Sequence, residues 1–232
     1  MPGEKLITII NEDEFDGTRD GIEAFVFNLI GRLYPTSSIN VSQDNEYFAN
    51  KWMSPDYRER ISHAISELLY MGEKVIIFSD GDEAWTDFSK YTSEKRICLE
   101  EKFSKLKMDV KDKLISSFDF NTRQADKYVR NIILMTPCWN IESWAYFNVE
   151  KLNEIGEYYK IKDLTNSITR LKKSDFEENK VSKIGANLTI GNESRKDLFN
   201  EELLSESYPY DELEKVGKSF KHFYTELKDL IR

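Results

Sequence analysis

"VIIFSDGDEAW", residues 75–85, sets four apolar residues just before three acids, Asp80, Asp82 and Glu83, with Gly81 between the first two. A run this short reads as a buried strand, and the turn residues behind it mark where the strand ends. Two more short runs, "LITII" at 6–10 and "IILM" at 132–135, have the same character, and "INV" at 39–41 adds a fourth candidate. The segments between them have helical spacing. A helix from near Thr18 places Ile22, Phe25, Val26, Leu29 and Leu33 on one face. A second helix has Ser54 as N-cap, Pro55 at its first position, Ile61, Ile65, Leu68 and Leu69 inward, and Gly72 as its stop. Strands alternating with helices predict an α/β fold, a mostly parallel sheet flanked by helices.

Working outward, residues 1–150 form the expected core, with a charged helical insertion at about 90–130. Residues 151–232 show no convincing strand and are expected to form a helical C-terminal part packed on that core. The chain's end, "DELEKVGKSFKHFYTELKDLIR", reads as one terminal helix with Leu213, Val216, Phe220, Phe223, Leu227 and Leu230 on a stripe. The 232 residues suffice for one substantial core, and 40% hydrophobic residues offset the cost of ordering a chain that is 32% charged.

With 33 Lys and Arg against 42 Asp and Glu, the net charge of −9 argues against a protein that coats nucleic acid by bulk electrostatics. A local basic groove is compatible with it. Cys98 and Cys138 stand far apart without a CxxC or Cys/His pattern, so neither a disulfide framework nor a zinc site is indicated, and a reducing cytoplasm fits best. No stretch approaches the roughly 18 apolar residues of a membrane span, so no membrane association is expected.

In an open α/β sheet, ligands gather beyond the carboxyl ends of the strands. The first run is followed by "NEDEFDGTRD" with Glu12, Asp13, Glu14, Asp16 and Asp20, the second by "SDGDE", and the third by "TPCWNIESW" with Glu142. An Asp-x-Asp on a strand extension points both carboxylates to one side. Magnesium takes hard oxygen ligands and commonly only one or two protein carboxylates. Asp80 and Asp82 therefore read as metal ligands, and the charge that offsets the cluster as Mg²⁺ or Mn²⁺ with a phosphodiester behind it. The competing reading is that acids after strands form turns and cap helices. Likewise Asn140 can cap a helix from Ile141, placing Glu142 in its first turn and Trp144 and Phe147 in the core. His63 and His222 read as surface or boundary residues.

An Asp-Gly-x-x-Asp loop opening a helix, "DGTRD" at 16–20, followed by a strand ending in Asp-x-Asp, "IIFSDGDE" at 76–83, resembles the Toprim fold of topoisomerases, primases, OLD-type nucleases and small RNA-maturation nucleases. "TPCWNIESWAYFN" at 136–148 and "GKSFKHFYTEL" at 217–227 resemble elements of small bacterial Toprim-like proteins, the RloB-like proteins among them. The resemblance implies a Mg²⁺-dependent phosphodiesterase acting on DNA or RNA, in bacterial defence. In that pattern Asp80 and Asp82 are metal ligands, and a first-loop Glu is the catalytic acid or base. Here the Glu is replaced by Asp16 if "DGTRD" is its equivalent, or its role falls to Glu12 or Glu14; Glu142 completes the set. Two other readings stand beside it. One is a non-catalytic Toprim-like module that binds a protein partner or a second copy of itself. The other, a receiver-like phosphotransfer domain, needs a later Lys at a strand end, and none is convincing.

Overall fold

The computed structural model describes residues 5–12, 16–36, 38–44, 46–47, 55–80, 94–137, 141–161, 189–190, 193–194, 196–204 and 207–232. The α/β expectation holds. Strands β1 (Lys5–Ile10), β2 (Ile39–Gln43), β3 (Lys74–Phe78) and β4 (Ile132–Met135) form a sheet in the order β2-β1-β3-β4. Every neighbouring pair is parallel, with Ile9 opposite both Gln43 and Ile76, and Ile77 opposite Leu134.

The order explains the layers. From β1 the chain passes through helix α1 (Asp16–Leu33) to β2 on one side, then through α2 (Pro55–Tyr70) back across β1 to β3. Helices α3 (Glu94–Phe118) and α4 (Thr122–Tyr128) carry it onward to β4. A uniform crossover hand demands that the helix change faces when the direction reverses. Accordingly α1 packs on the face of Ile7, Ile9, Ile76 and Met135, while α2 and α3 pack on the face of Ile10, Val75, Ile77 and Ile132. The charged stretch at 90–130 thus supplies a sheet-covering helix, with Leu106, Val110 and Leu114 fully buried.

One crossover helix cannot cover a four-stranded face, and the C-terminal segments fill the remainder. They are α5 (Glu142–Ala145), α6 (Val149–Tyr158), a two-residue antiparallel pair β5 (Thr189–Ile190) and β6 (Glu193–Ser194), α7 (Lys196–Leu203), α8 (Tyr210–Val216) and α9 (Lys218–Ile231). Trp144, Phe199, Phe220 and Phe223 join the α1 layer, with Trp144 and Phe220 ring centroids 5.4 Å apart. Polar ties lock the layer: Trp144 Nε1 donates to Ser219 Oγ at 3.0 Å, Tyr208 donates to the Trp144 carbonyl at 2.6 Å, and Tyr210 donates to the Phe25 carbonyl at 2.8 Å.

Two expectations for this part need correction. The C-terminal third does hold strand residues, in the β5–β6 pair. The terminal stripe is two helices, because the backbone turns extended at Gly217 (φ −87°, ψ 104°). A Cβ there would lie 2.8 Å from the Leu213 carbonyl oxygen, so the sharp break needs glycine. Gly72 adopts φ 87° just beyond α2, as its reading as a stop requires. Ser54, the expected cap at the other end, lies outside the described residues. No helix among the described residues is long and apolar enough to cross a membrane.

Candidate functional site

In the order β2-β1-β3-β4 the connections leave β1 and β3 in opposite directions, so the carboxyl ends of those two strands flank the topological switch point. Glu12 follows β1 and Asp80 follows β3, and the two meet there: the Asp80 backbone N–H donates to Glu12 Oε2. Asp80 Oδ1 in turn accepts the backbone N–H of Ile141 at 3.1 Å, which ties the β3 end to the first turn of α5. The next residue, Glu142, is 2% exposed, and its Oε1 accepts from Asn200 Nδ2 at 3.0 Å. Asn200, on α7, also reaches Thr18 Oγ1 in the first turns of α1, at 3.4 Å.

These bonds link the loops after three strands to the starts of α1 and α5. Each carboxylate is held by an N–H donor, which lets acids from distant parts of the chain share one rim. The placement follows from local structure. β1 and β3 end where their apolar runs end, α5 opens with Glu142 in its first turn, and α7 approaches α1 closely because Gly21 has no side chain. A Cβ at Gly21 would lie 2.9 Å from Glu201 Cα.

A cation stands on the same rim. Arg19, in α1, is 8% exposed; its Nε donates to Gln43 Oε1 at 3.0 Å and a terminal nitrogen donates to the Asp44 carbonyl at 3.2 Å. Gln43 Nε2 returns a bond to the Arg19 carbonyl at 2.5 Å, and Asn11 Nδ2 shares Gln43 Oε1 at 2.7 Å. The guanidinium is thus fixed beside the carboxyl ends of β1 and β2.

Of the residues expected from sequence, Glu12 and Asp80 meet at the ends of β1 and β3, whereas the buried Glu142 carboxylate is bonded to Asn200 and reaches the pair through its neighbour Ile141. Glu14 and Asp82 lie outside the described residues, as does Asn140; Asp16 opens α1, but its side chain also lies outside them. Among the described residues no three His, Cys, Asp or Glu side chains are grouped as a metal site. Trp144 is fully buried in the core and its indole is spent on Ser219, as the core reading anticipates. His63 is exposed and pairs with Glu67 at 3.5 Å. Arg19 and Asn200 were not anticipated. Arg19 lies inside the quoted "DGTRD" loop and its position was a signal to follow, whereas Asn200 comes from a helix whose placement no local pattern announces.

No family model, curated protein or solved structure matches the chain.

Proposed function

We propose that the chain is a Mg²⁺- or Mn²⁺-dependent phosphodiesterase that acts on DNA or RNA at the rim formed by β1 and β3. The observation that carries this reading is the meeting of Glu12 and Asp80 at the switch point, with the buried Arg19 guanidinium on the same rim. The donor set fits a hard divalent ion, since a carboxylate that accepts one N–H keeps further acceptor positions and magnesium needs only one or two such ligands. Asp80 and Asp82 would hold the ion, which when bound polarises a phosphoryl oxygen and makes water acidic. An acid of the first loop, Glu12, Glu14 or Asp16, orients that water and takes its proton. Arg19 attracts the phosphate, and Glu142 acts as a positioning residue that holds the α5 start beneath Asp80.

The Toprim-like motifs support the same activity, and through the RloB-like proteins they suggest bacterial defence in the cytoplasm as its setting. The test is Asp80→Asn, which keeps an oxygen for the Ile141 N–H. Metal-dependent cleavage of DNA or RNA should fall to background while the melting temperature holds; undiminished cleavage contradicts the assignment. A second reading, a non-catalytic Toprim-like module that binds a protein partner or another copy of itself, is favoured by the enclosure of Glu142 and its bond to Asn200, which are what a structural acid requires. On that reading the wild type cleaves nothing with either metal.

A further inference from the structure

A recess of about 270 Å³ opens at the outer edge of β4, where the α3 layer and α9 diverge. Leu134, Phe103 and Phe223 form apolar walls; Thr136, His222 and Glu226 are polar groups of the lining, together with Ser219 and, on α3, Glu100 and Ser104. The size, near the lower end of ligand pockets, suits one ring system and not a whole dinucleotide. Thr136 is 3% exposed, and its hydroxyl oxygen finds no hydrogen-bond partner among the described residues. A buried hydroxyl left in that state has lost its bonds to water, which a ligand restores by bonding to it. Glu226 is a second acceptor, 3.7 Å from His222 Nε2. Burial pushes its carboxyl up, against the opposing pull of His222, Lys107 and the Leu134 N–H.

The recess lies one strand over from the acid rim. Ser79 donates its N–H to the Met135 carbonyl at 3.1 Å, so Asp80 and Thr136 stand just beyond the paired ends of β3 and β4. Resting on the phosphodiesterase reading, we propose that this recess receives a nucleobase with an exocyclic amino group, adjacent to the phosphodiester held at the rim. The amino hydrogens meet acceptors at Glu226 and Thr136 while the ring lies against Phe223 and Leu134, as buried bases are commonly read by one polar edge and apolar walls.

The probes are adenosine, cytidine and uridine, which lack phosphate, followed by saturation-transfer NMR in EDTA with wild type, Asp80→Asn, Thr136→Val and Ser104→Trp. Ser104 is exposed and lines the recess mouth, so tryptophan there obstructs it without entering the core. Adenosine and cytidine should bind wild type and Asp80→Asn alike, with uridine and the Thr136→Val and Ser104→Trp proteins at least about fivefold weaker, roughly 1 kcal/mol. Binding that ignores Ser104→Trp, a preference for uridine, or no binding by any nucleoside overturns the base site. No cleavage of DNA or RNA by the wild type with either metal, alongside recess-dependent nucleoside binding, removes the phosphodiesterase reading and leaves the base site standing.

Discussion

Asn200 shows how much of the rim depends on a single neutral side chain. Its amide places one nitrogen against the carboxylate of Glu142 and within reach of Thr18, inside a region closed to solvent. Replacing it with leucine keeps the volume and withdraws the donor from a buried anion, which costs about 1.5–3 kcal/mol. Urea unfolding of Asn200→Leu, Glu142→Gln and the double variant should therefore return a coupling energy of at least about 1 kcal/mol, and additive losses would show that the contact carries no weight. At the chemistry, Glu12→Gln retains an oxygen for the Asp80 N–H and removes the base. If Glu12 is the first-loop acid that activates water, cleavage falls about 10²-fold or more with little change in stability; full activity transfers the role to Glu14 or Asp16. The acids themselves were legible in the sequence because they stand directly behind apolar runs, where a strand end is predictable. Their partners were not, since a hydrogen bond from Asn200 to Glu142 spans 58 positions and leaves no periodic trace.

Elements were read best where one local rule governs them. β1, β3 and β4 stand where their apolar runs stand, and α2 runs from Pro55 to Tyr70 with Gly72 beyond it. The terminal helix was misjudged because its apolar stripe stays in phase through residue 217, while the break there depends on a carbonyl contact that a hydropathy pattern does not record. The α1–α7 packing is decided the same way, by the absence of a side chain. Gly21→Ala forces a methyl toward the α7 backbone at Glu201 and must push α7, with Asn200, away from α1 and α5. Overpacking of this kind costs about 1–3 kcal/mol. The expected result is a lowered melting temperature together with weakened metal-dependent cleavage. Gly31, where an added Cβ meets nothing within 4 Å, is the control, and Gly31→Ala in the exposed helix should stabilise by a few tenths to about 1 kcal/mol. Equal effects of the two substitutions contradict the packing argument.

Across the whole molecule, the C-terminal helices complete the layer that one crossover helix leaves unfinished, and the tyrosines at their junction give that layer a pH signature. Burial raises the hydroxyls of Tyr208 and Tyr210 above the ordinary tyrosine value, where they donate to the Trp144 and Phe25 carbonyls. An unfolded chain gives up these protons near pH 10, so the stability they contribute is complete below about pH 10 and is lost as the pH climbs from there toward their folded values. Chemical unfolding at successive alkaline pH values should show this decline, and Tyr208→Phe with Tyr210→Phe should flatten it while lowering neutral stability by about 1 kcal/mol per lost bond. The molecule's central feature remains the switch point, where acids from β1 and β3 share a rim. The most direct test is calorimetric titration of Mn²⁺ into wild type and Asp80→Asn at equal folded concentration. Saturable binding by wild type that disappears in Asp80→Asn is the predicted result; indistinguishable heats from the two proteins would contradict it.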